Sequence, residues 1–238
     1  MTIAADNLFQ FAYTNMHLCN AVRGAVLDFH GLDGGRDFPR EDDEWARLYA
    51  AMGLLFVYPY LEPWNWINDT AVRTVDEILD VLLKAHPGIP VVSSGGSMGG
   101  TGALLFALRS RHQSSITACA AHCPVADVPG CFGEAADVPR TLAAAFGHYD
   151  MDMNAALESV SPLHRAGELP RIPYLIVQGA RDTDVPKAQH ADRLVSALRA
   201  VGHDVTYIVD EGRGHCDFSP ESFVQYFGFV SAAAGGMI

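Results

Sequence analysis

Short, nearly all-apolar runs recur along the chain at Val22–Phe29, Leu54–Tyr58, Ile89–Val92, Ile116–Ala121, Tyr174–Gln178 and Val205–Val209. A strand with one wet face would alternate apolar and polar residues. Runs such as LLFVY and YLIV do not, so they read as strands covered on both sides. Most of the intervals between them carry helical spacing, as in Val72, Val75, Leu79 and Leu82, or Ala191, Leu194, Val195, Leu198 and Val201 before a Gly202 stop. Strand and helix in alternation predict a mostly parallel central sheet with helices on both faces. A weaker run around Leu8–Tyr13 is expected to pair at a sheet edge.

At 238 residues the chain is of a size that one α/β domain can use to build a complete core, and residues 1–238 are read as one domain. About fifty residues separate the strand ending near Ala121 from the one at Tyr174. A structureless loop of that length is unusual in a compact domain. Its Pro, Gly and short helical pieces predict a small helical cap at about residues 124–165.

The formal charge of −12 repels a phosphate backbone or an anionic membrane, so neither nucleic acid nor membrane is an expected partner. No stretch approaches the ~20 apolar residues of a membrane span, and Asp6 stands where an export signal would be basic. Five cysteines, an odd number without a CxxC pair, fit reduced thiols, and a soluble cytoplasmic protein is expected. Cys119 and Cys123 flank His122 at a spacing that invites a zinc reading. No second ligand pair stands at suitable spacing, so no metal is expected.

Three motifs carry chemistry. The first, Gly95-x-Ser97-x-Gly99, follows an apolar run and precedes the helix-like Thr101–Arg111, the strand–turn–helix setting that a nucleophile elbow requires. Its glycines let strand and helix pack closely while Ser97 Oγ projects above the sheet. The following helix aims its free N–H groups at the site, so Met98 N–H is a natural oxyanion donor. In the second, the run His30-Gly31-Leu32-Asp33-Gly34-Gly35 ends the first long strand, where a second oxyanion donor belongs; Leu32 is preferred, with Gly31 next. His30 reads first as a histidine that ties this loop, and with Gly31 also as a candidate substrate contact.

In the third, Asp182 lies at the carboxyl end of the Tyr174–Gln178 strand, with Asp184 as competitor, and His215 lies in the glycine-bearing loop after the final strand. The order Ser97, Asp182, His215 is that of nucleophile, orienting acid and base. His122, ending the strand beside the nucleophile strand, is expected near the site.

These segments, HGLDGG, GGSMGG, QGARDTDVP and GRGH, resemble the α/β-hydrolase superfamily, and within it the prolyl-oligopeptidase-like and dienelactone-hydrolase-like esterases. Ser161-Pro162-Leu163 is similar to a Ser-Pro found in the former group. The resemblance implies an α/β-hydrolase fold, with a sheet abbreviated at its N-terminal edge relative to eight strands. No large N-terminal propeller like that of prolyl oligopeptidases is expected, and Ser97 stands where dienelactone hydrolases carry cysteine.

The expected activity is that of a serine carboxylic-ester hydrolase on small or medium esters, with neither metal nor organic cofactor. Trp64 and Trp66, in the aromatic segment Tyr58–Trp66, are candidate pocket walls suited to aromatic or hydroxycinnamoyl esters, with loop packing an equal alternative. Phe132, Phe146, Tyr149 and Met151 could roof the site or pack the cap core. Arg36, Arg40 and Arg181 could select anionic substrates. The alternatives are a small serine peptidase or aminopeptidase, for which Glu62, Asp127 and Glu134 are candidate ammonium partners, and a non-catalytic binding protein on the same scaffold.

Overall fold

The computed structural model describes residues 2–32, 34, 41–133, 137–148, 150 and 152–236. Seven strands form one sheet: β1 (Ala12–Thr14), β2 (Gly24–Phe29), β3 (Leu54–Pro59), β4 (Val91–Gly96), β5 (Ile116–His122), β6 (Tyr174–Gly179) and β7 (Val205–Asp210). Their order is β1-β3-β2-β4-β5-β6-β7, parallel throughout except for β1, which runs antiparallel beside β3. This is the mostly parallel sheet that the alternating sequence predicts, in the α/β-hydrolase fold that the resemblance implies.

The helices are α1 (Glu44–Ala51), α2 (Asp69–Ala85), α3 (Met98–Arg109), α4 (Val128–Phe132), α5 (Asp137–Phe146), α6 (Met153–Ser159), α7 (Ala191–Ala200) and α8 (Pro220–Ala233). Alternation along β2 divides the core in two. Ala25, Leu27 and Phe29 join α2, α3 and α7 in the larger cluster, and Val26 joins α1 and α8 in the smaller. Helices α4, α5 and α6 all fall between β5 and β6. Their Val128, Leu142, Phe146 and Leu157 belong to the larger cluster, and so does Cys119.

Two element boundaries differ from expectation. β4 starts at Val91 and runs on to Gly96, through the polar Ser93 and Ser94. Both hydroxyls are buried but bonded, Ser93 to Ala103 O at 2.9 Å and Ser94 to Asp28 Oδ1 at 2.8 Å, so the strand continues without an orphaned polar group. β1 is only three residues long, because Leu8–Gln10 turns as a 3-10 helix just before it. Among the described residues, no helix is long and apolar enough to cross a membrane.

Candidate active site

Ser97 stands between β4 and α3 at φ 58 and ψ −126, a backbone conformation that a residue with a Cβ rarely adopts. The turn is tight enough to exclude side chains from its neighbours. A Cβ on Gly99 would lie 2.0 Å from Phe29 O, and one on Gly96 would lie 2.1 Å from His122 Nε2. Met98 is the first residue of α3, so its N–H has no carbonyl one turn earlier to bond. Gly31 approaches from the end of β2: a Cβ there would sit 3.7 Å from Ser97 Cβ.

Asp182 follows β6 with its side chain fully buried, and its two oxygens share four donors. Oδ1 accepts from Asp184 N at 3.0 Å and Val185 N at 2.8 Å. Oδ2 accepts from Gln178 Nε2 at 2.9 Å and meets His215 Nδ1 at 2.8 Å. Burial opposes its ionisation, but the His215 and Val185 bonds outweigh that and hold the carboxyl below the usual range. At His215 burial likewise opposes the charged form, whereas Asp182 and the Cys123 sulfur raise the pKa above the ordinary histidine value. Asp184, the competitor, donates a backbone N–H to Asp182 and, among the described residues, holds no histidine.

Ser97, Leu32, Met98, Gly31, His30, Asp184, His215 and His122 all face one cavity of about 900 Å3. Among the described residues no hydrogen bond joins Ser97 Oγ to His215; catalytic contacts of this kind often tighten only with substrate present. His215 Nε2 instead lies 3.6 Å from Cys216 Sγ. Cys216 N donates to Cys123 Sγ at 3.3 Å, so two sulfurs and the imidazole gather at one point. Cys216 in turn holds the Cys123 thiol pKa down, at about 6.

A second cavity of about 370 Å3 shares Asp28, Tyr58, His122 and Cys216 with the first, and extends toward α1 and α8 between Trp45, Tyr49, Phe56, Phe218 and Tyr226. Asp28 and Asp43 are its carboxylates. Burial raises the Asp28 carboxyl pKa to about 6 against the Ser94 hydroxyl that lowers it, with Asp43 adding repulsion. His122 is half-buried, with Nδ1 enclosed and unpartnered among the described residues and the pKa lowered to about 4 by loss of water and by His215, so it stands neutral at the junction of the two cavities.

Other expectations fare unevenly. His30 Nδ1 meets Gly31 O at 2.7 Å and its Nε2 meets Asn65 Nδ2 at 3.3 Å, which suits the loop-tying reading while leaving one edge on the cavity wall. Trp66 touches the cavity but is 1% exposed, with Nε1 donating to Thr141 Oγ1 at 3.0 Å, so it serves mainly to fasten the loop after β3 onto α5. Trp64 is not among the cavity residues; its ring lies under Arg140, 5.1 Å from the guanidinium carbon.

Phe146 is buried and Phe132 half-buried in the larger core cluster, so both pack the core; Cys131, Asp137 and Val138 reach the cavity instead. Asp127 caps α4 and pairs with Arg193, Glu62 is exposed, and Arg181 lies outside the cavity lining. Arg36, Arg40, Glu134, Tyr149 and Met151 lie outside the described residues.

Sequence reasoning missed Asp28, Cys123 and Cys216 as members of this site. Asp28 had a signal, a carboxylate inside an otherwise apolar strand. Cys123 was weighed with Cys119, but Cys119 is buried in the larger cluster and the partner of Cys123 lies 93 residues away.

Residues 90–230 match the prolyl oligopeptidase family, more than half of the chain. No curated protein matches. Among solved structures, a puromycin hydrolase superposes with a TM-score of 0.74 at 20% identity, covering 91% of this chain and 34% of that one. An acylaminoacyl peptidase of Pyrococcus horikoshii gives 0.71 at 13% identity, over 90% and 37%. Esterase B of Lactobacillus rhamnosis gives 0.68 at 19% identity, over 91% and 78%. The chain therefore spans about a third of the length of the first two, and at these identities the likeness speaks to fold alone.

Proposed function

This chain belongs to the prolyl oligopeptidase family of serine hydrolases, and on that premise we propose that it cleaves small or medium carboxylic esters through an acyl-enzyme on Ser97. The observation that carries the reading is the 2.8 Å hydrogen bond between the buried Asp182 and His215, whose ring faces the same cavity as the strained Ser97. His215 takes the Ser97 proton as Oγ attacks the ester carbonyl, and later returns it to the leaving alcohol. Asp182 fixes the imidazole tautomer and stabilises the imidazolium. The N–H groups of Met98 and Leu32 receive the oxyanion, and each such donor contributes about 3–4 kcal/mol. Residues 124–165 act in this reading as a helical cap over the acyl group.

The test is hydrolysis of a p-nitrophenyl ester beside the matched p-nitroanilide. The ester is turned over preferentially, and Ser97→Ala drops kcat by about 10^6-fold. Equal kcat/KM on the anilide would overturn ester preference, and full activity in Ser97→Ala would overturn the nucleophile.

One observation favours a second reading, cleavage of amides that carry a free amine. The smaller cavity sets the Asp28 carboxylate among aromatic rings, and such a box suits an ammonium group through charge and cation–π attraction. This reading predicts a lower KM for free aminoacyl anilides than for their N-acetylated forms, and loss of that preference in Asp28→Asn.

A further inference from the structure

We propose that Cys123, His215 and Cys216 form a binding site for a soft divalent cation, zinc by its chemistry, and that an ion bound there disables the candidate base. The two Sγ atoms and the available ring nitrogen all lie within 4.8 Å of one another. Among the described residues they are the one group of histidine, cysteine and acidic side chains gathered closely enough to share an ion. The His215 Nε2 to Cys216 Sγ distance is 3.6 Å. A tetrahedral zinc with Zn–S of about 2.3 Å and Zn–N of about 2.0–2.1 Å needs an S···N separation of roughly 3.5–3.6 Å. Two sulfurs and an imidazole form a donor set that suits zinc and rejects magnesium or calcium.

The surroundings match what a zinc histidine needs. His215 Nδ1 is held by Asp182 at 2.8 Å, which leaves the lone pair of neutral imidazole on Nε2, facing the sulfurs. A carboxylate behind a ligating histidine is the usual outer partner of such sites. Cys216 N donates to Cys123 Sγ, offsetting the charge of a thiolate. Both cysteines hold positive φ, 45 at Cys123 and 50 at Cys216, and the two turns bring their side chains together from β5 and from the loop after β7. The exposed Cys216 gives the ion a way in. The fourth position, on the cavity side, is left to water or to a substrate oxygen.

On binding, the two thiols release their protons to solvent and the imidazole lends its Nε2 lone pair; nothing is oxidised. An Nε2 that holds a metal cannot accept the Ser97 proton. Inhibition therefore rests on His215 being the base, whereas binding does not.

The experiment titrates the reduced, metal-free protein with cobalt and then zinc, in a phosphine reductant that keeps the thiols from pairing. One equivalent of cobalt should produce a thiolate-to-cobalt charge-transfer band that zinc abolishes. Ester hydrolysis should fall in step with zinc and return with EDTA. Cys216→Ser should weaken zinc binding beyond the roughly 10–100-fold that loss of an outer-shell partner costs. Cys123→Ser should do the same, and because that position is buried, the exposed Cys216 variant carries the test if it misfolds. No charge-transfer band, or unchanged zinc affinity in Cys216→Ser, overturns the site. A band with hydrolysis untouched upholds the site and overturns His215 as the base.

Discussion

Asp28 and Asp182 are both carboxylates at the carboxyl-end rim of the sheet, one the half-buried penultimate residue of β2 and the other buried just past β6. Asp182 is met by Gln178, His215 and two backbone N–H groups, and stays ionised. Asp28 has the Ser94 hydroxyl and aromatic walls, and its pKa rises to about 6. Loss of water opposes ionisation in both, so it does not by itself decide the outcome; the number of donors does. A saturated carboxylate is a fixed part of an acid–base device. An under-coordinated one keeps its capacity to accept for whatever enters the cavity.

The largest contrast is expected in turnover. Asp182→Asn should lower ester kcat by about 10^4-fold, as when the orienting acid of such a triad is lost. Asp28→Asn should leave kcat on an uncharged ester within a fewfold of wild type. Comparable losses in the two variants, measured on one ester, would dissolve the distinction.

Stability against pH should separate them next, with opposite signs. The folded pKa of Asp182 is depressed, so its contribution is present above the unfolded value and is lost as pH falls through the folded one. The folded pKa of Asp28 is raised from 3.8 to about 6, so holding its charge costs nothing below about pH 4, costs more as pH climbs to about 6, and is constant beyond. Asp43 is the like charge that adds to this cost, while Tyr49, Tyr58, Tyr226 and His122 complete the wall around Asp28. Asp28→Asn should therefore stabilise the protein above pH 6 by something on the order of 1–3 kcal/mol, and not at pH 4, by denaturant melts.

A smaller effect should follow at Gln178, whose Nε2 donates to Asp182 Oδ2 and, at 3.1 Å, to Val185 O. Gln178→Leu strips one donor from the saturated carboxylate and should cost about 1–2 kcal/mol, with a kcat loss well short of that of Asp182→Asn. At the bottom of the scale, Trp64→Ala should change stability by no more than about 1 kcal/mol, the worth of an exposed cation–π pair with Arg140, and leave kcat/KM unchanged. A pocket wall would behave otherwise.

What the sequence made legible was whatever one strand or one turn encodes. Continuous apolarity marked β3 and β6, and glycines around a serine marked the elbow, because a tight approach of strand and helix leaves no room for side chains. Alternation along VLDF put Asp28 on the same face as Val26, but its worth depended on aromatic residues delivered by α1 and α8. The gathering of Cys123 with Cys216 depended on two distant turns closing onto His215. The division between Trp64 and Trp66 rested on Thr141 and Arg140, both supplied by α5. Each failure is of one kind: spacing along the chain says nothing about which separate elements meet.

The register of β4 on β5 pairs Gly96 with His122, so the residues one step beyond, Ser97 and Cys123, leave neighbouring strands at the same height. Cys123 stays buried there, so an electrophile arriving at this rim meets the Ser97 oxygen and, on the same cavity, the exposed Cys216 sulfur. A mass gain on the intact chain therefore cannot say which atom reacted, and a fluorophosphonate and an iodoacetamide can block each other without sharing a target. Trypsin separates the two, because Arg109 and Arg111 lie between them.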